Sequence, residues 1–303
     1  MTATPARLDD SLRGILFMCL TAIVVFPFLN GLVKYLLAND YSIVQVMWMR
    51  SIVHMAWMLV LFLPTGGLRI LRSNRPGLQL VRSTLQLVAL VLYIIALSHV
   101  PLTAITMAFF TAPLMVVALS VPMLGERVGP RRWGAVAVGF AGAAVIFRPG
   151  GEIIHWSFPL VLGAAAAYAL FQIQTRQLAA HDDYRTTAIY TIIVALVGTT
   201  IAGPFFWTWP ESLAHWGAFI GLGLFGGFGH YCVIKAYQYA RASVVGPFDY
   251  GQLIGAPVIG FLWFGEVVDL WTWLGAAIIV ASGLYIARRE AVQGASLRTK
   301  ARL

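Results

Sequence analysis

Residues 96–148 recur 140 positions later without a gap. Ala96 meets Ala236, the Gly125-Glu126 pair meets Gly265-Glu266, and Val128 meets Val268. Trp133, Ala137, Ala141, Ile146 and Arg148 then meet Trp273, Ala277, Ala281, Ile286 and Arg288. Each copy reads as a polar hinge, a long apolar segment, a Gly-Glu corner and a second apolar segment. Such a repeat fixes the architecture before any single residue is interpreted, because one structural unit must serve twice.

Composition decides which solvent that unit faces. Of 303 residues, 59% are hydrophobic and 11% are charged, against about 25% charged in a soluble domain. The chain cannot cover itself with polar surface, so its solvent is lipid. A net charge of +9 in a soluble protein suggests nucleic acid. Here the basic residues sit in short connections between apolar runs, where they report topology instead. Cys19 and Cys232 lie inside apolar segments and imply no disulfide frame. The six histidines show no metal-ligand spacing. Asp9, Asp10 and a long first apolar run predict that the N-terminus is not a cleavable signal.

A helix needs roughly 20 apolar residues to cross the bilayer core. Ten segments qualify: 13–37, 43–63, 78–97, 102–124, 132–147, 158–177, 186–207, 215–239, 242–264 and 270–287. Backbone groups in lipid must be satisfied internally, which makes all ten helices. The expected fold is an all-α multi-pass membrane protein. Arginine and lysine then alternate by connection. Arg7 and Arg13 lie in the N-terminal tail, with Arg69, Arg72 and Arg75 in the second connection and Arg127, Arg131 and Arg132 in the fourth. Arg176 and Arg185 follow in the sixth, Arg241 in the eighth, and Arg288, Arg289, Arg298, Lys300 and Arg302 at the C-terminus. The intervening connections hold only Lys34 and Arg148. This bias predicts a bacterial inner-membrane protein with both termini cytoplasmic, the tail 289–303 included. Five helices per copy is odd, so the second copy enters the membrane inverted. The expected plan is two inverted five-helix repeats, 13–147 and 158–288, around a central cavity, as in secondary transporters.

At this point the residues resemble a family. The text Ala-Leu-Ser-His-Val-Pro-Leu-Thr-Ala (96–104), Thr-Ala-Pro-Leu (111–114) and Leu-Gly-Glu-Arg-Val-Gly-Pro-Arg-Arg-Trp (124–133) resembles the drug/metabolite transporter superfamily, EamA type. Ala-Tyr-Gln-Tyr-Ala-Arg-Ala-Ser (236–243), Phe-Gly-Glu (264–266) and Gly-Leu-Tyr-Ile-Ala-Arg-Arg-Glu (283–290) continue the likeness over nearly the whole chain. Residues 82–148 and 229–290 are similar to members described as riboflavin or S-adenosylmethionine importers. The resemblance implies ten helices, a central cavity and alternating access, with a small metabolite as substrate: a vitamin, an amino acid or a nucleoside-like compound.

Charge inside a membrane costs at least ~2.5 kcal/mol, so each buried polar residue is a candidate for the substrate site. Asn30 and Lys34 share one helix face just past Pro27, and Arg50 and His54 share another. Arg82, Gln86 and Tyr93 form one stripe; Tyr168, Gln172 and Arg176 form a second. His230, Asp249 and Tyr250 complete the set. Lys34, Arg82, Arg176 and Lys235 lie near enough to helix ends to snorkel instead. His54 has the alternative of bonding a neighbouring helix. Asp249 either pairs with Arg82 or Lys235 or titrates during transport. Arg50 is the expected anion clamp, since a guanidinium presents five donors to a carboxylate or phosphate. Arg50, Gln86, Tyr168 and Tyr250 are expected to line one cavity. At the 140-residue offset, Arg50 meets Tyr190, Phe109 meets Asp249 and Phe110 meets Tyr250. A scaffold used twice should look alike twice, whereas an asymmetric substrate needs unlike residues. Gly125, Glu126, Gly265 and Glu266 are expected to be structural, each carboxylate facing a helix N-terminus.

Gly221-Leu-Gly223-Leu-Phe-Gly226 matches G-x-G-x-x-G literally, but no strand precedes it, so no dinucleotide cofactor is implied. Gly217 with Gly221, Gly223 with Gly227, and Gly251 with Gly255 instead predict close helix crossings. No metal site, no nucleic-acid partner and no catalytic group is expected. The partners are a small solute and the bilayer, with the chain a monomer or a homodimer. A passive facilitator and a membrane-embedded enzyme are the competing readings.

Overall fold

The computed structural model describes residues 8–125, 128–148, 156–178, 181–240 and 242–300, and no strand occurs among them. Eight of its helices are long and apolar enough to cross a membrane. These are α1 Ser11–Ala38, α2 Ile43–Leu71, α3 Pro76–Leu97, α4 Leu102–Leu124, α6 Ser157–Leu178, α7 Tyr184–Phe206, α8 Leu213–Tyr239 and α10 Leu270–Arg289. The two other expected spans are different. α5, Pro130–Ile146, has 17 residues and is thus only about 25 Å long. The stretch 242–264, called α9, is a short turn Ala242–Val245, a 3-10 run Gly246–Gly251 and a helix Gln252–Phe264.

Local chemistry places these ends. Ser42, Asp183 and Ser212 cap α2, α7 and α8, each accepting a backbone N–H of the first turn, which satisfies an otherwise orphaned donor. Pro76 and Pro130 stand in the first turns of α3 and α5, where a missing N–H costs nothing. Gly125 and Gly265, repeat partners, both end their helices in the left-handed region, at φ 66° and 65°. That conformation disfavours any residue with a Cβ and explains why the corner keeps its glycine in both copies.

The packing follows the repeat. α5 packs on α10 and α2 on α7, each a pair of repeat partners. The contact of α3 with α6 is mirrored by α8 with α1, that of α4 with α6 by α9 with α1, and that of α3 with α7 by α8 with α2. A pseudo-two-fold axis therefore relates the halves, and each copy buries its apolar surface against the other. Gly142 and Gly275 let the α5 and α10 backbones meet: a Cβ on Gly142 would lie 2.8 Å from the Gly275 carbonyl oxygen.

Apolar side chains cover much of the perimeter, and a set of polar ones is buried inside. Leu16, Val60, Ile201 and Leu262 are each about two-thirds exposed, whereas Gln79, Ser83, Thr111 and Gln45 are fully buried. Apolar side chains outside and satisfied polar ones inside are what lipid solvent requires. Trp48, Trp207, Trp209 and Trp216 form one ring cluster at the ends of α2, α7 and α8, the position of an interfacial aromatic belt.

Two helices are discontinuous at matching places. α4 breaks between its halves Leu102–Phe109 and Ala112–Leu124, and α9 breaks over Gly246–Gly251. Phe110 and Tyr250, repeat partners in these breaks, pack with ring centres 5.0 Å apart and planes tilted by 36°. α1 is irregular as well, with a π-helical turn Leu20–Val25 just before Pro27. Proline has no N–H for the carbonyl four residues back, and that carbonyl, on Ile23, faces Gly255 of α9.

Candidate functional site

Four helices related pairwise by the axis, α2 with α7 and α3 with α8, line a small, partly open central cavity of about 30 Å³. Arg50, Ser51 and His54 come from α2, and His230 comes from α8. Gln86, Leu87 and Leu90 come from α3, and Thr191, Ile192 and Ala195 from α7. The i, i+4 spacing of Arg50 and His54 turns both side chains to this space.

The polar groups differ in how far they are occupied. The rings of His54 and His230 stand 5.1 Å apart. His230 Nδ1 donates to the Gly226 carbonyl at 3.0 Å. A Cβ on Gly226 would lie 3.4 Å from His54 Nδ1 and 3.8 Å from Arg50 Nε, so this glycine leaves room beside both groups. Arg50 makes no hydrogen bond and no ion pair among the described residues. Gln86 Oε1 is buried without a partner. A buried polar atom left unpaired costs about 1–3 kcal/mol and marks a place where a ligand or water completes the bonding.

The other expected site residues fall elsewhere. Asn30 Nδ2 donates to the Tyr93 hydroxyl at 3.3 Å, and that hydroxyl meets Thr106 Oγ1 at 3.3 Å. This chain ties α1 to α3 and α4. Lys34 does not snorkel. It forms an ion pair with Glu266 and donates to the Val100 carbonyl. Arg82 is fully engaged: Nε donates to Thr175 Oγ1 at 2.6 Å and Nη1 to the Thr187 carbonyl at 3.1 Å. Its guanidinium also lies 4.3 Å from the centre of the Phe171 ring. Arg82 thereby knits α3 to α6 and α7 and stands outside the cavity wall.

Tyr168 packs on Phe109 and Phe171, at 5.3 and 5.6 Å, and Tyr250 packs on Phe110. Both stand at the broken joints of α4 and α9, whereas Arg50 and Gln86 line the cavity. Gln172, half-buried on α6, makes no hydrogen bond among the described residues. Asp249 pairs with neither Arg82 nor Lys235. It accepts from Gln252 Nε2 at 3.0 Å and interacts electrostatically with Tyr168, Tyr237 and Tyr250. Lys235 lies over the Tyr231 ring.

Of the two corners, Glu126 lies outside the described residues. Glu266 accepts from the backbone N–H groups of Leu102 and Thr103, at 3.0 and 3.4 Å. The carboxylate does face a helix N-terminus, but that of α4 in the other repeat rather than that of the helix following it. The glycines also divide. Positions 221, 223, 227, 251 and 255 each lie against a neighbouring helix, while Gly217 has open space around it. Sequence reasoning missed Thr191 and Ser51 in the wall; as repeat partners on one axis they carried the signal.

The pattern of the EamA-like transporter family matches the chain twice, over residues 12–148 and 155–288. The chain belongs to this family. It is 31% identical over 285 residues to a protein of Vibrio cholerae serotype O1 named riboflavin transporter, covering 92% of this chain and 94% of that one. It is 25% identical to the S-adenosylmethionine uptake transporter of Rickettsia prowazekii, covering 74% and 76%, and 25% identical to the pseudopaline exporter of Pseudomonas aeruginosa, covering 93% and 98%. A solved crystal structure superposes with a TM-score of 0.63 at 16% identity, over 93% of this chain and 99% of that one, a likeness of fold. The EamA-like chain is accordingly a multi-pass membrane protein built for small-molecule transport.

Proposed function

We propose that this EamA-like protein is a secondary transporter that carries a small polar or aromatic metabolite through the central cavity by alternating access. The observation that carries the reading is the meeting of the two broken helices, Phe110 on Tyr250. Non-helical backbone at membrane depth is tolerated only where protein buries it or a cavity adjoins it, and transporters place their sites there. In this reading Arg50, His54, Gln86 and His230 contact the solute. Asn30, Tyr93, Tyr168, Gln172, Asp249 and Tyr250 form the surrounding shell that shifts between states. Lys34, Glu266 and the start of α4 form a latch between repeats. The termini are cytoplasmic by the arginine bias, so the latch closes the outer face in this conformation. Relatives named for riboflavin and for S-adenosylmethionine support a solute with a flat heteroaromatic ring. No nucleotide-binding loop is present in the sequence, so a gradient supplies the energy.

A cross-link tests it. Cysteines replace Lys34 and Glu266 in a chain whose Cys19 and Cys232 are first changed to serine, and the protein is reconstituted in liposomes with riboflavin or S-adenosylmethionine as probes. Oxidation should abolish counterflow and reductant should restore it. Unchanged counterflow across an intact cross-link would overturn alternating access at this interface.

A further inference from the structure

The cavity lies on the pseudo-two-fold axis, yet its two walls are chemically opposite. Shifting by 140 positions pairs Ser51 with Thr191, which are alike, but also His54 with Val194, Leu90 with His230 and Gln86 with Gly226. The α2–α8 wall therefore carries Arg50, Ser51, His54 and His230, while the α3–α7 wall carries Leu87, Leu90, Ile192 and Ala195 with Gln86 and Thr191 among them. Among the described residues no carboxylate lines the space. Asp249 is turned to Gln252. Tyr93 and Arg82 are the other titratable groups close enough to act on Arg50 and His230, and neither supplies a negative charge. A symmetric scaffold has thus been given all its cationic and imidazole groups on one side and most of its apolar ones on the other, with a permanent guanidinium left without an anion.

We propose that the transported solute is a small organic anion, its acid group held by Arg50 and His54 and its apolar body laid against Leu87, Leu90 and Ile192. The proposal rests on the reading of this cavity as the transport site. A guanidinium offers a carboxylate or a phosphate two parallel donors, and the His54 imidazole has one N–H to add beside it, whereas the Nδ1–H of His230 is already given to the Gly226 carbonyl. The closed volume of about 30 Å³ is that of roughly one water molecule, so the body of the solute is admitted only when the walls part. Gly226 matters for the same reason: any side chain there would project between His54 and Arg50, where the acid group sits.

The test measures binding to the purified full chain by concentration-dependent thermal shift. Benzoate, phenyl phosphate, the neutral isostere benzamide, and riboflavin are the probes. At least one of the two anions should bind at least ten-fold more tightly than benzamide, and which of them does identifies the acid as carboxylate or phosphate. Arg50→Gln should remove that preference, Arg50→Lys should keep part of it, and Leu90→Asn should weaken benzoate and benzamide alike. Equal affinity for benzoate, phenyl phosphate and benzamide in the unaltered protein overturns the proposal, even if Arg50→Gln fails to fold. So does an anion preference that survives Arg50→Gln. Riboflavin binding that responds to Leu90→Asn while no anion is preferred leaves the cavity as the transport site and sinks only the anion. Binding of every probe that ignores both Arg50→Gln and Leu90→Asn overturns the cavity reading as well.

Discussion

At the scale of single residues, buried charges in this protein divide by whether the fold supplies their partner. Glu266 has three donors from two other segments, so it holds α1 and α4 together at once. Glu266→Gln keeps the shape and removes the charge facing Lys34. A buried charged bond of this kind is worth about 1.5–3 kcal/mol, and the melting temperature should fall accordingly in a thermal scan. Asp182, outside the spans, behaves by the same rule in water. Burial pushes its carboxyl up, but bonds from Ser73, Gln79 and Asn74 outweigh that and hold it below its ordinary value of 3.8. A carboxyl lowered on folding stabilises the protein above that ordinary value and loses the contribution as pH falls through the lowered one. Asp182→Asn should therefore melt lower at neutral pH, with the gap to the unaltered protein closing below the ordinary carboxylate range. A gap independent of pH would place the effect in packing. These two acids also show where residue-level reading stops. The Gly-Glu corner pointed to a carboxylate at a helix start, but not to a helix in the other repeat. Of the two readings open for Asp249, pairing with Arg82 or Lys235 is not what the fold supplies; the carboxylate accepts instead from a glutamine three residues along.

At the scale of elements, glycine decides which helices approach. Gly255 lies on the Ile23 carbonyl and the Pro27 ring, so Gly255→Ala forces α9 away from the irregular part of α1. Overpacking of this kind costs about 1–3 kcal/mol, and a lower yield of folded protein in detergent is expected. Gly223 lies against Val53 and the backbone of His54, so Gly223→Leu should lose stability and also displace the cavity wall. Gly217→Leu is the control: with open space around it, it should melt within about 0.5 kcal/mol of the unaltered protein, the usual range for surface changes. Hydropathy counts found the spans because each is a local sum over about 20 residues. The breaks in α4 and α9 escaped those sums, since two turn residues in α4 and a six-residue 3-10 run in α9 barely move an average taken over about 20 residues.

At the scale of the whole molecule, the two copies share a scaffold and differ in chemistry. Lys34 has Gln174 as its repeat partner, and Gln174 is buried with its Oε1 unpaired. The latch is therefore an ion pair at one face and has no equal from Gln174 at the other. Orientation across the membrane is open to a labelling experiment. With both termini cytoplasmic, an impermeant thiol reagent should reach a cysteine replacing Glu211 in whole cells and miss one replacing Arg72. The reverse pattern would invert the molecule and move the Lys34–Glu266 latch to the inner face.

The amino-acid sequence by itself determined the repeat, eight of the apolar spans and the two Gly-Glu corners. Each of these rests on chemistry that is read over one turn or one helix: hydropathy, backbone conformation and capping. It also singled out the polar residues, because polarity inside lipid is costly wherever it occurs. Only the tertiary structure decided which of them meet. Lys34 and Glu266 stand 232 positions apart, and Arg50 and His54 share a cavity with a histidine from the opposite repeat. A helical stripe says which residues share a face but not what that face is turned toward. Rotation about each helix axis is set by how neighbouring helices pack, through contacts such as Gly223 on Val53 and Gly142 on Gly275. Those contacts sum over the whole bundle, and no window of sequence contains them.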